Sequence, residues 1–312
     1  EGRKYIPVCT GDLKPFRSRP VKYRTFVFPI TSPAGETVYY ARIASSGSLI
    51  VAFRAWGQEH FQEKKDQEDV LIWLFYGIML SLVVYNLLIY FSIRDASSLY
   101  LSFFATAITL HSMSYNGIAF QYIWPDSPAW GNIANMLFNI FSCTSALLFT
   151  RSFLDTPGNL PRYNRVLSLM LAFLLISIPL SLNIDYHIAT QTVTLIAGVV
   201  ALTVIVGVVY LVFKKYRPAM YYLIAWLCLV LGVIIVVLRS FGLIHEGFLS
   251  MWGYQVGSSL LVILLSLGVA DKINTMRKER EIALEAIRDA EEKYQALIET
   301  TDTGYAIFDE PG

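Results

Sequence analysis

Charge is what this chain has least of. Only 16% of its 312 residues are Asp, Glu, Lys or Arg, against 55% hydrophobic, and the mean hydropathy is +0.49. Soluble domains carry about a quarter charged residues, so this is the composition of a membrane protein. Residues 69–271 hold 8 Lys or Arg and 7 Asp or Glu, leaving a long apolar block between two polar ends. A net charge of +1 supplies no basic field and argues against a nucleic-acid partner. Cysteine is also sparse: Cys9, Cys143 and Cys228 form neither a disulfide framework nor a CxxC metal pattern, and the last two fall in apolar runs, where cysteine is a small core residue.

Several chemistries are excluded by what the apolar block lacks. No span interior carries a lysine, so no retinal Schiff base can form. Every acid of the block, Asp69, Asp95, Asp126, Asp155, Asp185, Glu246 and Asp271, lies in a loop or at a span end, which argues against a charge-coupled transporter. There is no HExxH, metal-ligand cluster, nucleophile–base pair or phosphate loop. No catalytic or metal-ligating residue is therefore assigned, and no cofactor is expected in this stretch.

What is present is a series of apolar runs near the ~20 residues that a bilayer core requires. Seven are expected, at about 70–93, 98–121, 131–153, 166–183, 187–213, 219–243 and 251–271, the second and third being the least apolar. Arg94, then Arg151, Arg162 and Arg165, then Lys214, Lys215 and Arg217, then Lys272, Arg277 and Lys278 mark one side of the membrane. The opposite loops carry almost none, although Lys64 and Lys65 stand against the trend. The positive-inside bias predicts an outside N-terminus and a cytoplasmic C-terminus.

Before the first span, Thr25–Ile30, Thr37–Ala44 and Ser48–Arg54 are rich in β-branched and aromatic residues and are separated by Ser32-Pro33-Ala34-Gly35 and Ser45-Ser46-Gly47. That pattern predicts short antiparallel strands, too few to stand alone, so the front of a β-domain is expected to be missing. Gln58–Asp69 reads as a charged connector. Trp56 is either a ring that stacks on a sugar or an interfacial anchor.

After the last span, Ile273, Met276, Arg280, Ala283, Ile287, Ala290, Tyr294 and Leu297 recur in steps of three and four. They form either the seam of a weak parallel coiled coil in a homodimer or one face of a solvated amphipathic helix. The helix is expected to end near Thr300-Thr301-Asp302, with a strand over Gly304–Asp309; Glu1 and Pro311-Gly312 read as the ends of a piece of a longer protein.

Polar residues inside the spans collect at one depth. With the N-terminus outside, His111, Asn116, Asn135, Asn139, Gln191, Arg239 and Gln255 all fall toward the outer half, whereas Asn86 and the Ser142–Ser145 run fall in the inner half. The outer set is either a pocket for a small ligand or the docked outer domain, with Arg239 suited to an anionic group, or a set of ordinary interhelical hydrogen bonds. Gly198 with Gly207 permits close helix contact, and so does Gly253-Tyr254-Gln255-Val256-Gly257, whose GxxxG spacing also suits a dimer face.

The stretches Gly11-Asp12-Leu13-Lys14-Pro15-Phe16, Arg19-Pro20, Phe26-Val27-Phe28-Pro29, Tyr39-Tyr40-Ala41-Arg42 and Ser45-Ser46-Gly47-Ser48, followed by seven spans, resemble the bacterial seven-transmembrane receptors with diverse intracellular signalling modules. The tail from Glu292-Lys293-Tyr294 through Leu297-Ile298-Glu299 to Gly304–Asp309 resembles the opening of a PAS domain. The expected fold is an α-helical membrane protein. Residues 1–68 would be the end of an extracellular jelly-roll-like β-sandwich sensor, 69–271 a seven-transmembrane bundle, 272–299 a cytoplasmic coiled coil and 300–312 the start of the PAS domain. The resemblance implies a receptor in the bacterial inner membrane that responds to a small-molecule or carbohydrate-like ligand outside. The implied output is a histidine kinase using ATP and a response regulator, or else a diguanylate cyclase or a phosphatase. A solute transporter and a membrane anchor with a regulatory tail are the rival readings.

Overall fold

The computed structural model describes residues 7–31, 35, 37–45, 53–245 and 247–305, without the side chains of 240 and 299–305. It divides into two units, Glu1–Ser266 and Leu267–Gly312. The helices are α1 (Gln58–Ile93), α2 (Ala96–Tyr115), α3 (Ile118–Tyr122), α4 (Pro128–Phe153), α5 (Thr156–Asn159), α6 (Pro161–Leu182), α7 (Tyr186–Phe213), α8 (Arg217–Ser240) and α9 (Phe248–Tyr305).

Six of these helices, α1, α4, α6, α7, α8 and α9, are long and apolar enough to cross a membrane. The helix on the second expected span, α2, has 20 residues and is not among them. It packs chiefly on α4 and α1. A helix enclosed by others can carry hydroxyls, and Ser102, Thr106, Thr109 and Ser114 each return theirs to the carbonyl four residues earlier. Leu169, Ile176, Leu195, Leu202 and Leu231, by contrast, are exposed apolar side chains of the kind that lipid tails accept.

The helix ends follow local chemistry. Arg94 takes a left-handed conformation (φ 63°) and closes α1 through its N–H to Tyr90 O. Asp95 then caps α2 by accepting from the Ser98 N–H at 3.2 Å. Proline at the first turn opens α4, α6 and α8. The continuous span expected over 98–121 is interrupted: Asn116 ends α2, and Gly117 (φ 76°) turns the chain into the short α3.

Two sets of contacts seat α8. Phe149 and Phe153 of α4 stack with Tyr222 of α8, which stacks on Trp226, and the Tyr222 hydroxyl pairs with Thr150 Oγ1 at 2.6 Å. Further along α8, a Cβ added at Gly232 would lie 2.2 Å from Gly253 O, and one at Gly257 would lie 2.8 Å from Cys228 O. The GxxxG face expected to suit a dimer is thus occupied by α8 of the same chain. Gly207 does seat a neighbour, the Tyr163 ring, but Gly198 has open space before it.

The strands expected over Thr25–Ile30 and Thr37–Ala44 are not formed; both segments are irregular, and most of the third, Ser48–Arg54, lies outside the described residues. Aromatic and β-branched residues make a strand only where a neighbouring strand pairs its backbone and covers one face. Here Phe26, Phe28, Ile30, Val38 and Tyr40 are exposed. The charged connector is helical, being the first turns of α1. At the other end α9 runs through Gly304 and Tyr305, where a strand was expected to begin, and residues 306–312 lie outside the described residues.

Candidate functional site

The most tightly specified polar site joins the segment before α1 to the helices. A single 3-10 turn, Phe16–Ser18, brings the Phe16 N–H to Pro125 O at 2.8 Å and sets its ring edge-on to Phe120, 5.7 Å between centroids. Arg19 follows, only 8% exposed. Its guanidinium lies over Phe26 (4.3 Å), Phe16 (4.8 Å) and Phe120 (5.6 Å), and its Nη1 donates to the carbonyls of Tyr23 and Arg24, both at 2.8 Å. This cation braces the loop from within: it ties two consecutive carbonyls to an aromatic cage. Burial pulls its pKa down, partly offset by Asp12.

The braced loop presents its next two side chains to α1. Tyr23 stands edge-on to Phe61 (5.7 Å), and its hydroxyl donates to Glu68 Oε2 at 2.6 Å; Arg24 Nη2 donates to the same oxygen. Lys64, one turn before Glu68, reaches Oε1 at 3.2 Å. Glu68 precedes the apolar run that begins at Val70, and its side chain is 9% exposed. Burial works to raise the Glu68 pKa, but the Tyr23 hydroxyl, Arg24 and Lys64 outweigh it and hold the carboxyl below its ordinary value. The Tyr23 hydroxyl is pushed up by burial and by Glu68. On the opposite flank, Arg24 O passes so close to Gly117 that a Cβ there would sit 2.8 Å from it. One short segment therefore grips α1 through Glu68 and Phe61, and the α2–α4 connection through Gly117, Phe120 and Pro125.

The residues expected to form an outer pocket are brought together only in part. His111 Nδ1 of α2 is 3.2 Å from Asn135 O of α4, and the Tyr254 ring of α9 meets His111 edge-on at 6.4 Å. Asn116 donates to the Tyr76 hydroxyl of α1 and to Ser112 Oγ, both at 3.3 Å. Asn139 accepts a long contact from Cys143 Sγ at 3.8 Å within its own helix. Asn135 Oδ1 and Gln255 Oε1 are buried without a hydrogen-bond partner. Gln191 is exposed on α7, and Arg239 at the end of α8 reaches Ser250 O at 3.4 Å. Trp56 carries Lys64 over its ring at 5.0 Å. Of the seam residues on α9, Ile273 is buried and Met276, Arg280, Ala283, Ile287, Ala290, Tyr294 and Leu297 are exposed.

Tyr23, Arg24 and Glu68 carried no distinguishing pattern in the sequence. A buried ion pair between residues 44 apart leaves no local spacing to detect; the one available signal was an acid, Glu68, set just ahead of an apolar run. Among the described residues no group of His, Cys, Asp or Glu could hold a metal ion.

With this geometry established, the comparisons assign the class. Residues 68–272, more than half of the chain, match the family model described as 7TM diverse intracellular signalling, and residues 1–57 match 7TMR-DISM extracellular 2. The chain belongs to this family of seven-transmembrane receptors: it is a multi-pass membrane protein, a transmembrane receptor for diverse intracellular signalling. The junction of the two matched regions, between residues 57 and 68, falls on the first turns of α1, where Phe61, Lys64 and Glu68 receive the preceding segment. No curated protein and no solved structure matches the chain.

Proposed function

We propose that the chain is the receptor part of a bacterial inner-membrane sensor, with its N-terminus outside and its C-terminus in the cytoplasm, and that the Tyr23–Arg24–Glu68 latch is where an outside signal enters the membrane bundle. The reading rests on one observation: a single outer segment holds both α1 and the α2–α4 connection. Movement of that segment must either carry both attachments or break one of them, which is a two-state choice that a ligand can bias. In this reading α2 is the seventh span, since 20 residues at ~1.5 Å each reach about 30 Å. The ligand is a small molecule or a carbohydrate-like group.

The exposed seam from Met276 to Leu297 then pairs with that of a second copy, and α9 passes the change to a PAS domain and a histidine kinase that uses ATP and a response regulator. The test uses the full-length gene product in native membranes, supplied with ATP and, separately, GTP. Histidine phosphorylation that changes on Glu68→Gln, at unchanged receptor abundance, supports the reading. Cyclic-dinucleotide synthesis would assign a diguanylate cyclase output instead. An output that Glu68→Gln leaves unmoved removes the latch from the signalling path.

A further inference from the structure

Asn86 lies on α1 with none of its surface exposed, and only one side of its amide is engaged. Nδ2 donates to Leu82 O and to Ser266 Oγ of α9, each at 2.8 Å, and Ser266 Oγ donates in turn to Val262 O at 2.8 Å. A carbonyl can only accept, and the Ser266 proton is already committed, so the amide nitrogen must face both partners. Oδ1 therefore points away from them. It is buried and has no hydrogen-bond partner among the described residues.

The facing helix supplies a second atom of the same kind. Ser102 Oγ of α2 approaches Val83 O of α1 at 3.4 Å, which sets this stretch of α2 beside the Asn86 turn. Ser98, one turn from Ser102 on the same face of α2, also has none of its surface exposed, and its hydroxyl is buried without a partner. The cause is positional. Ser102, Thr106, Thr109 and Ser114 all bond the carbonyl four residues back, but Ser98 sits in the first turn, behind the Asp95 cap, where the helix offers no such carbonyl.

We propose that Asn86 and Ser98 hold internal water, one or two molecules, which donates to Asn86 Oδ1 and accepts from the Ser98 hydroxyl. Through the Asn86 amide this water ties α1 and α2 to α9 at Ser266. Water suits the pair because one atom only accepts and the other can donate, and an internal water takes two to four such partners. Leaving both atoms unpaired inside the bundle costs more than immobilising the water. A metal cation suits it poorly, because hard cations require several oxygens including carboxylates, and Asp95 on this end of α2 is engaged by the Ser98 N–H. The inference stands on packing chemistry and does not depend on which output the receptor drives.

A double-mutant cycle on the full-length receptor in lipid nanodiscs tests it, read by thermal unfolding. Asn86→Leu and Ser98→Ala each lower the midpoint by ~2–4 °C. The double variant falls no further than Asn86→Leu alone, because both substitutions remove the same water; strictly additive shifts overturn the site. If Asn86→Leu fails to fold, a high-resolution map of the unmodified receptor decides instead. Water density within hydrogen-bonding distance of Asn86 Oδ1 supports the proposal, and a dry Oδ1 overturns it. Exchanging sodium for choline leaves the midpoint of the unmodified receptor unchanged; a drop would assign the site to a cation and overturn water as the occupant.

Discussion

Glu68 accepts from three donors at once, and their removal should not be equivalent. Tyr23→Phe deletes one neutral donor from a carboxylate that keeps Arg24 and Lys64, a loss of about 1–2 kcal/mol. Glu68→Gln leaves the Arg24 guanidinium, 15% exposed, without its counter-charge, and a cost on the order of 3 kcal/mol is expected for breaking such a pair. Limited proteolysis of the segment before α1 should rank the two in that order; equal cleavage would show that Glu68 is not the shared anchor. The same carboxyl gives a pH dependence. Its folded pKa lies below the ordinary carboxyl value, so its contribution is complete at and above that ordinary range and is lost as the pH falls through the depressed value. Protease protection of residues 10–30 should therefore hold through neutral pH and fail only in acid below the ordinary carboxyl range, and Glu68→Gln should abolish the acid step. His111 and Asn135 were expected at one depth; the contact between them is to the Asn135 backbone carbonyl, which any residue at that position would supply. The latch went unseen because its partners are distant in the chain.

Among the elements, the α8–α9 pair depends on backbone approach rather than on side-chain fit. Gly232→Ala drives a methyl group into Gly253 O, and Gly257→Ala drives one into Cys228 O, so both must separate the helices. Gly198→Ala adds a methyl to open space in a helix and should be neutral or slightly stabilising, by ~0.5–1 kcal/mol from propensity. Thermal midpoints in nanodiscs check the contrast, and a Gly232→Ala receptor as stable as Gly198→Ala would show that the helices do not touch there. Gly117→Ala combines a left-handed φ of 76° with a contact to Arg24 O, and should loosen the segment before α1 as well as the turn. The GxxxG spacing was visible in the sequence, but spacing cannot say which helix fills the groove. Breaks were harder still: the apolar run over 98–121 gave no cause to expect a turn at Asn116-Gly117, because Gly is common in spans and the deciding contact, Arg24 O, lies about 90 residues earlier.

At the scale of the whole molecule, two copies are proposed to lie side by side along the exposed face of α9 that runs from Met276 to Leu297. Under mild oxidation in membranes, Ile287→Cys at a seam position should cross-link efficiently and Glu285→Cys, on the outer face of the same helix, should not. Equal yields would favour a solvated helix over a paired one.

Composition and the order of apolar and basic segments were enough to establish a multi-pass helical protein, because burying a backbone in lipid permits few solutions and each needs a long apolar run. The period of three and four over 273–297 was likewise visible, and the structure leaves all of that face after Ile273 exposed. Whether the residues before α1 form strands was not determined locally, since a β-prone run requires a partner to pair with. The Glu68 latch, the α8-filled glycine groove and the fully buried Asn86 amide were decided only by the tertiary structure, which brings together atoms 44, about 20 and 180 residues apart. Periodicity records which face of a helix is buried, but carries no record of what lies against it.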